Sequence, residues 1–218
     1  MATSFEGKVP RPDQIPLVDK EFIDCLLKID SKLQGSGVKW SVGGDLGELL
    51  RGVLVKPDCV EILTSKDGAV KIYDLMREFE PTEVTAIERR LTRDAIIGEE
   101  KNPVHIRSYC SEFSIGKTRV LINGDWEYKI DDSEWGGVLK FEPEYVFVVG
   151  YKMGVIPVTL KGEFYLKLGW DDRIELVNNA IAKAQTRHDN ETPMDAIGAE
   201  NRVAGGADVT YYVDAPEN

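Results

Sequence analysis

VKWSVGGDLGELLRGVLVKPDCVEILT, residues 38–64, decides how the rest of this chain is read. A β-run over residues 38–42 ends in Gly43-Gly44, a pair that lets the backbone turn sharply because neither residue carries a Cβ. Asp45 then opens a short helix to about Val53, with Leu46, Leu49 and Leu50 on one face. Pro57-Asp58 forms a turn, and Cys59 to Leu63 makes a second strand carrying Glu61. An acid inside an apolar strand must either face a cleft or find a cation, for which Lys39, Arg107 and Arg119 are the candidates. Both readings of Glu61 stay open at this point.

Upstream, Phe22, Cys25, Leu26, Ile29 and Leu33 recur at helical spacing, and Gly35-Ser36-Gly37 stops that helix. Downstream, Asp67 opens a helix to about Phe79 that Pro81 breaks. Residues 82–93 fit either helix or strand, since Val84, Ile87 and Leu91 suit the first and Thr85 and Thr92 the second. From residue 104 the pattern turns β-branched, in VHIRSY, EFSI, TRVLIN, WEYKI and YVFVV, which reads as several antiparallel strands. Asn123-Gly124-Asp125 is a tight-turn signal between TRVLI and WEYKI, with Gly124 expected at positive φ. Helices follow near Glu163–Leu168 and Trp170–Gln185, the second with Asp171-Asp172 capping its start. One domain over residues 1–185 is expected, with an acidic, largely irregular tail over 186–218 whose Val209–Val213 docks as an edge strand.

With 27 basic and 38 acidic residues the net charge is −11, which opposes the phosphate neutralisation on which nucleic-acid binding depends. No apolar run approaches the ~20 residues of a membrane-spanning helix, and the first twenty residues are polar, so a cytoplasmic protein with no membrane partner is expected. Three separated cysteines, Cys25, Cys59 and Cys110, fit reduced buried thiols better than a disulfide frame. For Cys59 the choice is between a reactive nucleophile, which would need a basic partner and exposure, and a small buried hydrophobe. His105 and His188 have no Cys or His at zinc-finger spacing, and His105 is assigned no role. Lys56 and Arg51 are either phosphate contacts or solvated surface, and Trp126, Tyr128 and Trp135 are either a base-stacking cluster or cross-strand packing.

The segment SVGGDLGELLRGVLVKPDCVEIL resembles the signature of the nucleotidyltransferase superfamily, and looks most similar to its small archaeal nucleotidyltransferase-like members. TRVLINGD, the Tyr/Trp-rich β segment and IPVTLKGEFYLKLGWDDRIELV extend the resemblance over residues 38–182. It implies an α+β fold, a mixed and largely antiparallel sheet with helices packed on it. It also implies that Gly43, Gly44 and Asp45 cradle the phosphates of a nucleoside triphosphate at the helix start, and that Glu61 and Asp58 hold Mg²⁺ for catalysis.

The chain departs from that pattern at its acids. Two carboxylates sharing one strand face need i, i+2 spacing, but Glu61 has Cys59 as its same-face partner and Asp58 is three residues away. The family's third acid falls at Leu121. One carboxylate and a thiol suit a hard cation poorly. The expectation is therefore a nucleotidyltransferase-like protein with a degenerate site that binds a nucleotide or partner without catalysis. Two alternatives are kept: an active Mg²⁺-dependent transferase moving a nucleoside monophosphate to a small-molecule or protein hydroxyl, and a structural interaction protein or homo-oligomer joined through the 144–149 strand or the tail.

Overall fold

The computed structural model describes residues 18–91, 104–130 and 132–190; residues 1–17 and the expected edge strand at Val209–Val213 lie outside them. Seven strands build one sheet: β1 (Trp40–Val42), β2 (Val60–Thr64), β3 (Thr85–Leu91), β4 (Val104–Ile115), β5 (Thr118–Ile130), β6 (Glu144–Val148) and β7 (Tyr151–Val155). Their order is β3-β4-β5-β2-β1-β7-β6. Only β1 with β7 and β2 with β5 run parallel, so the sheet is mixed and largely antiparallel. The helices are α1 (Lys20–Leu33), α2 (Gly44–Leu49), α3 (Lys66–Leu75), α4 (Val158–Leu168) and α5 (Asp171–Asn190). The α+β class read from the sequence is the class observed.

Strand alternation at the sheet centre divides the molecule into a core side and a site side. Val60 and Ile62 of β2, with Val120 and Ile122 of β5, pack with α1 (Ile23, Cys25, Leu26, Ile29, Leu33), α3 (Ala69, Ile72) and Met76 just after it in one buried cluster. Each large side chain buried there contributes ~1.5–3 kcal/mol. Glu61 and Leu63, with Leu121 and Asn123, project to the opposite face by the same alternation.

Two sequence readings are corrected, one left open is decided and one strand is added. Residues 82–93, ambiguous in sequence, contain strand β3. VHIRSY and EFSI are one strand, β4, and β7 had no strand reading at all because its YKMGV alternation is broken by Gly154. The expected hairpin turn at Asn123-Gly124-Asp125 is not a turn: β5 continues through it, and the β4–β5 connection is Gly116-Lys117, with Gly116 at φ +61 in the first central position where a type II′ turn needs glycine. At Asn123-Gly124-Asp125 the ladder instead carries a bulge, because Arg107 pairs with Glu127 while Tyr109 pairs with Gly124, and the left-handed residue is Asp125 (φ +46).

Gly124 is required for another reason. A Cβ there would lie 2.9 Å from the Ser65 carbonyl oxygen and 3.0 Å from Lys66 Cα, so glycine lets the start of α3 settle onto the sheet. Gly124→Ala is expected to destabilise the protein by ~1–3 kcal/mol, as overpacking does. Gly136→Ala, whose Cβ would meet nothing closer than 3.4 Å, is the near-neutral control in the same denaturant titration.

Candidate functional site

The bulge sets the site. Before it, odd-numbered residues of β5 face away from the core, and Asn123 reaches Glu61, donating from Nδ2 to Oε1 at 2.7 Å. The extra residue reverses the alternation, so Trp126 and Tyr128 turn to that same side. Helix α4 crosses above them between Pro157, which starts it, and Gly169, left-handed at φ +66, which ends it. Lys161, Phe164 and Lys167, at i, i+3 spacing, form the face it presents to the sheet.

The cavity enclosed between sheet and α4 has a volume of about 150 Å³. That is the size that accepts one aromatic ring and lies below the ~300–1,000 Å³ of sites for drug-sized ligands. One wall is aromatic, with Phe164 edge-on to Trp126 and Tyr128 at centroid distances of 5.7 and 5.0 Å. The other end is polar and is formed by Gly44, Glu61, Arg89 and Lys161. Arg89 arrives from β3, in register with Ile106 on the same face.

Lys161 is fixed from behind. Glu48 on α2 is 1 % exposed, and its Oε1 accepts from Tyr165 Oη at 2.5 Å and lies 3.0 Å from Lys161 Nζ. Arg173 of α5 approaches Glu48 Oε2 at 3.8 Å and forks onto both oxygens of Asp45 at 3.1 Å. Burial acts to lower the Lys161 ammonium, but the negative charges of Glu48 and Glu61 and the Tyr165 phenol overcome it and hold Lys161 firmly protonated. Burial likewise pushes the Tyr165 hydroxyl up, so it remains a donor to Glu48.

Glu61 is a half-buried carboxylate held above its usual range by desolvation, against the opposing pull of Lys161, Arg89 and the Asn123 amide. A Cβ on Gly44 (φ +56) would lie 2.5 Å from Glu61 Oε2, so the glycine at 44 makes room for this carboxylate. Gly43, the residue before α2, would bring its Cβ 2.8 Å from Leu63 Cγ. The other sequence candidates scatter: Asp45 faces Arg173, and Asp58 stands outside the cavity lining in the bend before β2, near Cys59 and Arg119.

Glu61 draws its counter-charge from different residues than the sequence offered. Arg107 is taken by Glu127 and Arg119 by Glu112. Trp135 is separate from the other aromatics and lies under Arg107 and Lys129. Arg51 pairs with Glu144 at 2.5 Å. Burial and the neighbouring Asp58 push the Cys59 thiol up to about 12, which leaves it protonated and unreactive at neutral pH. Among the described residues no three Asp, Glu, His or Cys side chains come together as a metal site. None of the helices there is long and apolar enough to cross a membrane.

This architecture has a counterpart among solved structures. The chain is similar to TM1012 of Thermotoga maritima, a candidate nucleotidyltransferase, with 27 % identity and a TM-score of 0.53 over 77 % of this chain and 96 % of that one. The fold is nucleotidyltransferase-like. A more distant match, ANT(2″)-Ia in complex with adenylyl-2″-tobramycin, has 10 % identity and a TM-score of 0.41 over 77 % of this chain and 98 % of the other. No protein-family model and no curated protein matches the chain. On this nucleotidyltransferase-like scaffold, Leu121 is in register beside Glu61 on the adjacent parallel strand, so an apolar side chain occupies the position at which the sequence resemblance calls for a third acid.

Sequence reasoning missed Lys161, Arg89, Asn123 and Tyr165, and offered Glu48 only as an acid that could enter a metal site, together with Asp45 and Asp125. Asn123 was absorbed into a turn signal and Arg89 lay in the ambiguous segment. Glu48 carried a readable signal: it lies next to Leu49 and Leu50 in a helix too short to expose every polar residue.

Two outcomes follow from these charges. Glu48→Gln is expected to destabilise the protein by ~3–5 kcal/mol, the cost of breaking a buried ion pair, measured as a lower denaturation midpoint. Glu61 titrates higher in the native than in the unfolded chain, so the protonated form favours folding. That stabilisation is complete below the unfolded value near 4.5 and is lost as pH rises through the native value. Glu61→Gln is therefore expected to melt above wild type at pH 7 to 8 and to lose that advantage near pH 4. A difference that does not change with pH would contradict it.

Proposed function

We propose that this protein binds a nucleotide between the sheet and α4 and does not catalyse nucleotidyl transfer. The observation that carries this reading is the company of Glu61: an aromatic wall for a base and cationic groups for phosphate surround it, while Leu121 and Cys59 occupy the positions that would supply further metal-binding acids. Stacking on aromatic side chains contributes ~1–3 kcal/mol per base, and Trp126, Tyr128 and Phe164 form a surface suited to it. Support from the scaffold comes through TM1012, whose designation is that of a candidate nucleotidyltransferase.

Mg²⁺-dependent transfer of a nucleoside monophosphate to a hydroxyl is the second reading. One observation favours it: Glu163 lines the same cavity and is a further carboxylate on the α4 side. A thermal-shift titration with ATP, GTP, CTP and UTP, with and without Mg²⁺, coupled to a pyrophosphate-release assay, separates the two. Non-catalytic binding is expected to give a higher melting temperature with at least one nucleotide and no pyrophosphate. Pyrophosphate release that needs Mg²⁺ and disappears in Glu61→Gln would establish the transferase instead. No shift with any nucleotide would remove the nucleotide from the function.

A further inference from the structure

The residues around Glu61 do not fit a magnesium ion. Mg²⁺ prefers a near-octahedral set of oxygens. Here β2 and β5 supply one carboxylate, whose Oε1 already accepts the Asn123 amide and whose Oε2 is packed against Gly44, beside a leucine and a thiol. The positive charge at this place is organic. Lys161 and Arg89 line the cavity with Glu61 and exert the two largest attractions on its carboxylate. Lys161 is also anchored 3.0 Å from buried Glu48, so it cannot swing out to solvent without leaving that charge with one partner fewer.

We infer that Lys161 and Arg89 replace the divalent ion: the cavity binds the phosphate of a nucleotide through these two cations, Lys161 anchored at Glu48 and Arg89 reaching in from the edge strand, without metal, and Glu61 shares the cavity with them when no ligand is bound. This rests on the nucleotide reading above and specifies how the phosphate is held. Glu61 then has a role of opposite sign to a metal ligand. A metal-binding carboxylate is needed for phosphate binding, whereas here Glu61 competes with the phosphate for the same ammonium and guanidinium, and removing its charge releases both to the ligand.

The test is calorimetric titration of the full chain with inorganic pyrophosphate and with ADP, GDP, CDP and UDP, in EDTA and in Mg²⁺. Arg89 stands exposed on an edge strand, so Arg89→Gln is a variant that leaves the Glu48 cluster untouched. The expected result is binding of pyrophosphate and of at least one nucleoside diphosphate in EDTA, within about threefold of the affinity in Mg²⁺. Arg89→Gln is expected to weaken it about tenfold and Glu61→Gln to tighten it about threefold or more, magnitudes typical of gaining or losing one charge-assisted contact. Binding that appears only with Mg²⁺ and is abolished by Glu61→Gln would overturn the fixed-cation site while leaving nucleotide binding intact. Pyrophosphate bound in EDTA with no diphosphate bound would keep the fixed cations and sink the nucleotide reading. Binding of none of these under any condition would overturn both.

Discussion

Burying the charge of Glu48 is the constraint on which the site half of the molecule depends. A carboxylate removed from water costs several kcal/mol unless it is paired and hydrogen-bonded. The partners that meet this cost come from distant segments: Lys161 and Tyr165 on α4, and Arg173 on α5. Pairing Glu48 through Oε1 with Lys161 and Tyr165 fixes α4 across the sheet, and Arg173, 3.8 Å from an Oε2 that accepts no hydrogen bond, brings α5 against α2, where it also takes Asp45. The cavity follows from that placement, since α4 forms its roof. The apolar contacts among Val53, Val158, Tyr165 and Val177 stabilise the helix pair, but they are not directional, and the ion pairs select the orientation that points Lys161 at Glu61.

The floor depends on a second constraint, the bulge at Asp125. Without the extra residue, Trp126 and Tyr128 would keep the alternation set by Val120 and Ile122 and face away from α4. With it, a polar Asn123 and an aromatic Trp126–Tyr128 pair share one side of the same strand. A single strand thus carries both the group that orients Glu61 and the rings that could meet a base.

Much of this was legible in residues 38–64. The strand, Gly-Gly turn, helix, strand order is local, carried by periodicity and glycine placement, and it carried the resemblance that implied the fold class. The spacing set Asp58 apart from Glu61, and in the structure Asp58 lies in the bend before β2, outside the cavity lining. What the sequence hid were relations across long separations. Asn123-Gly124-Asp125 has the composition of a turn, and only the pairing of β4 with β5 makes it a bulge. Glu48 is separated from Tyr165 by 117 positions, and nothing near either residue announces the contact. Nothing local marks Lys161 or Arg89 either, which meet Glu61 only in the cavity between the sheet and α4.

Manganese electron paramagnetic resonance tests most directly whether Lys161 and Arg89 have replaced the metal. Mn²⁺ with ADP and the protein is expected to give the same free and ADP-bound signals as Mn²⁺ with ADP alone. A protein-dependent signal that saturates at about one ion per chain and is absent in Glu61→Gln would contradict the fixed-cation site and return Glu61 to the role of a metal ligand.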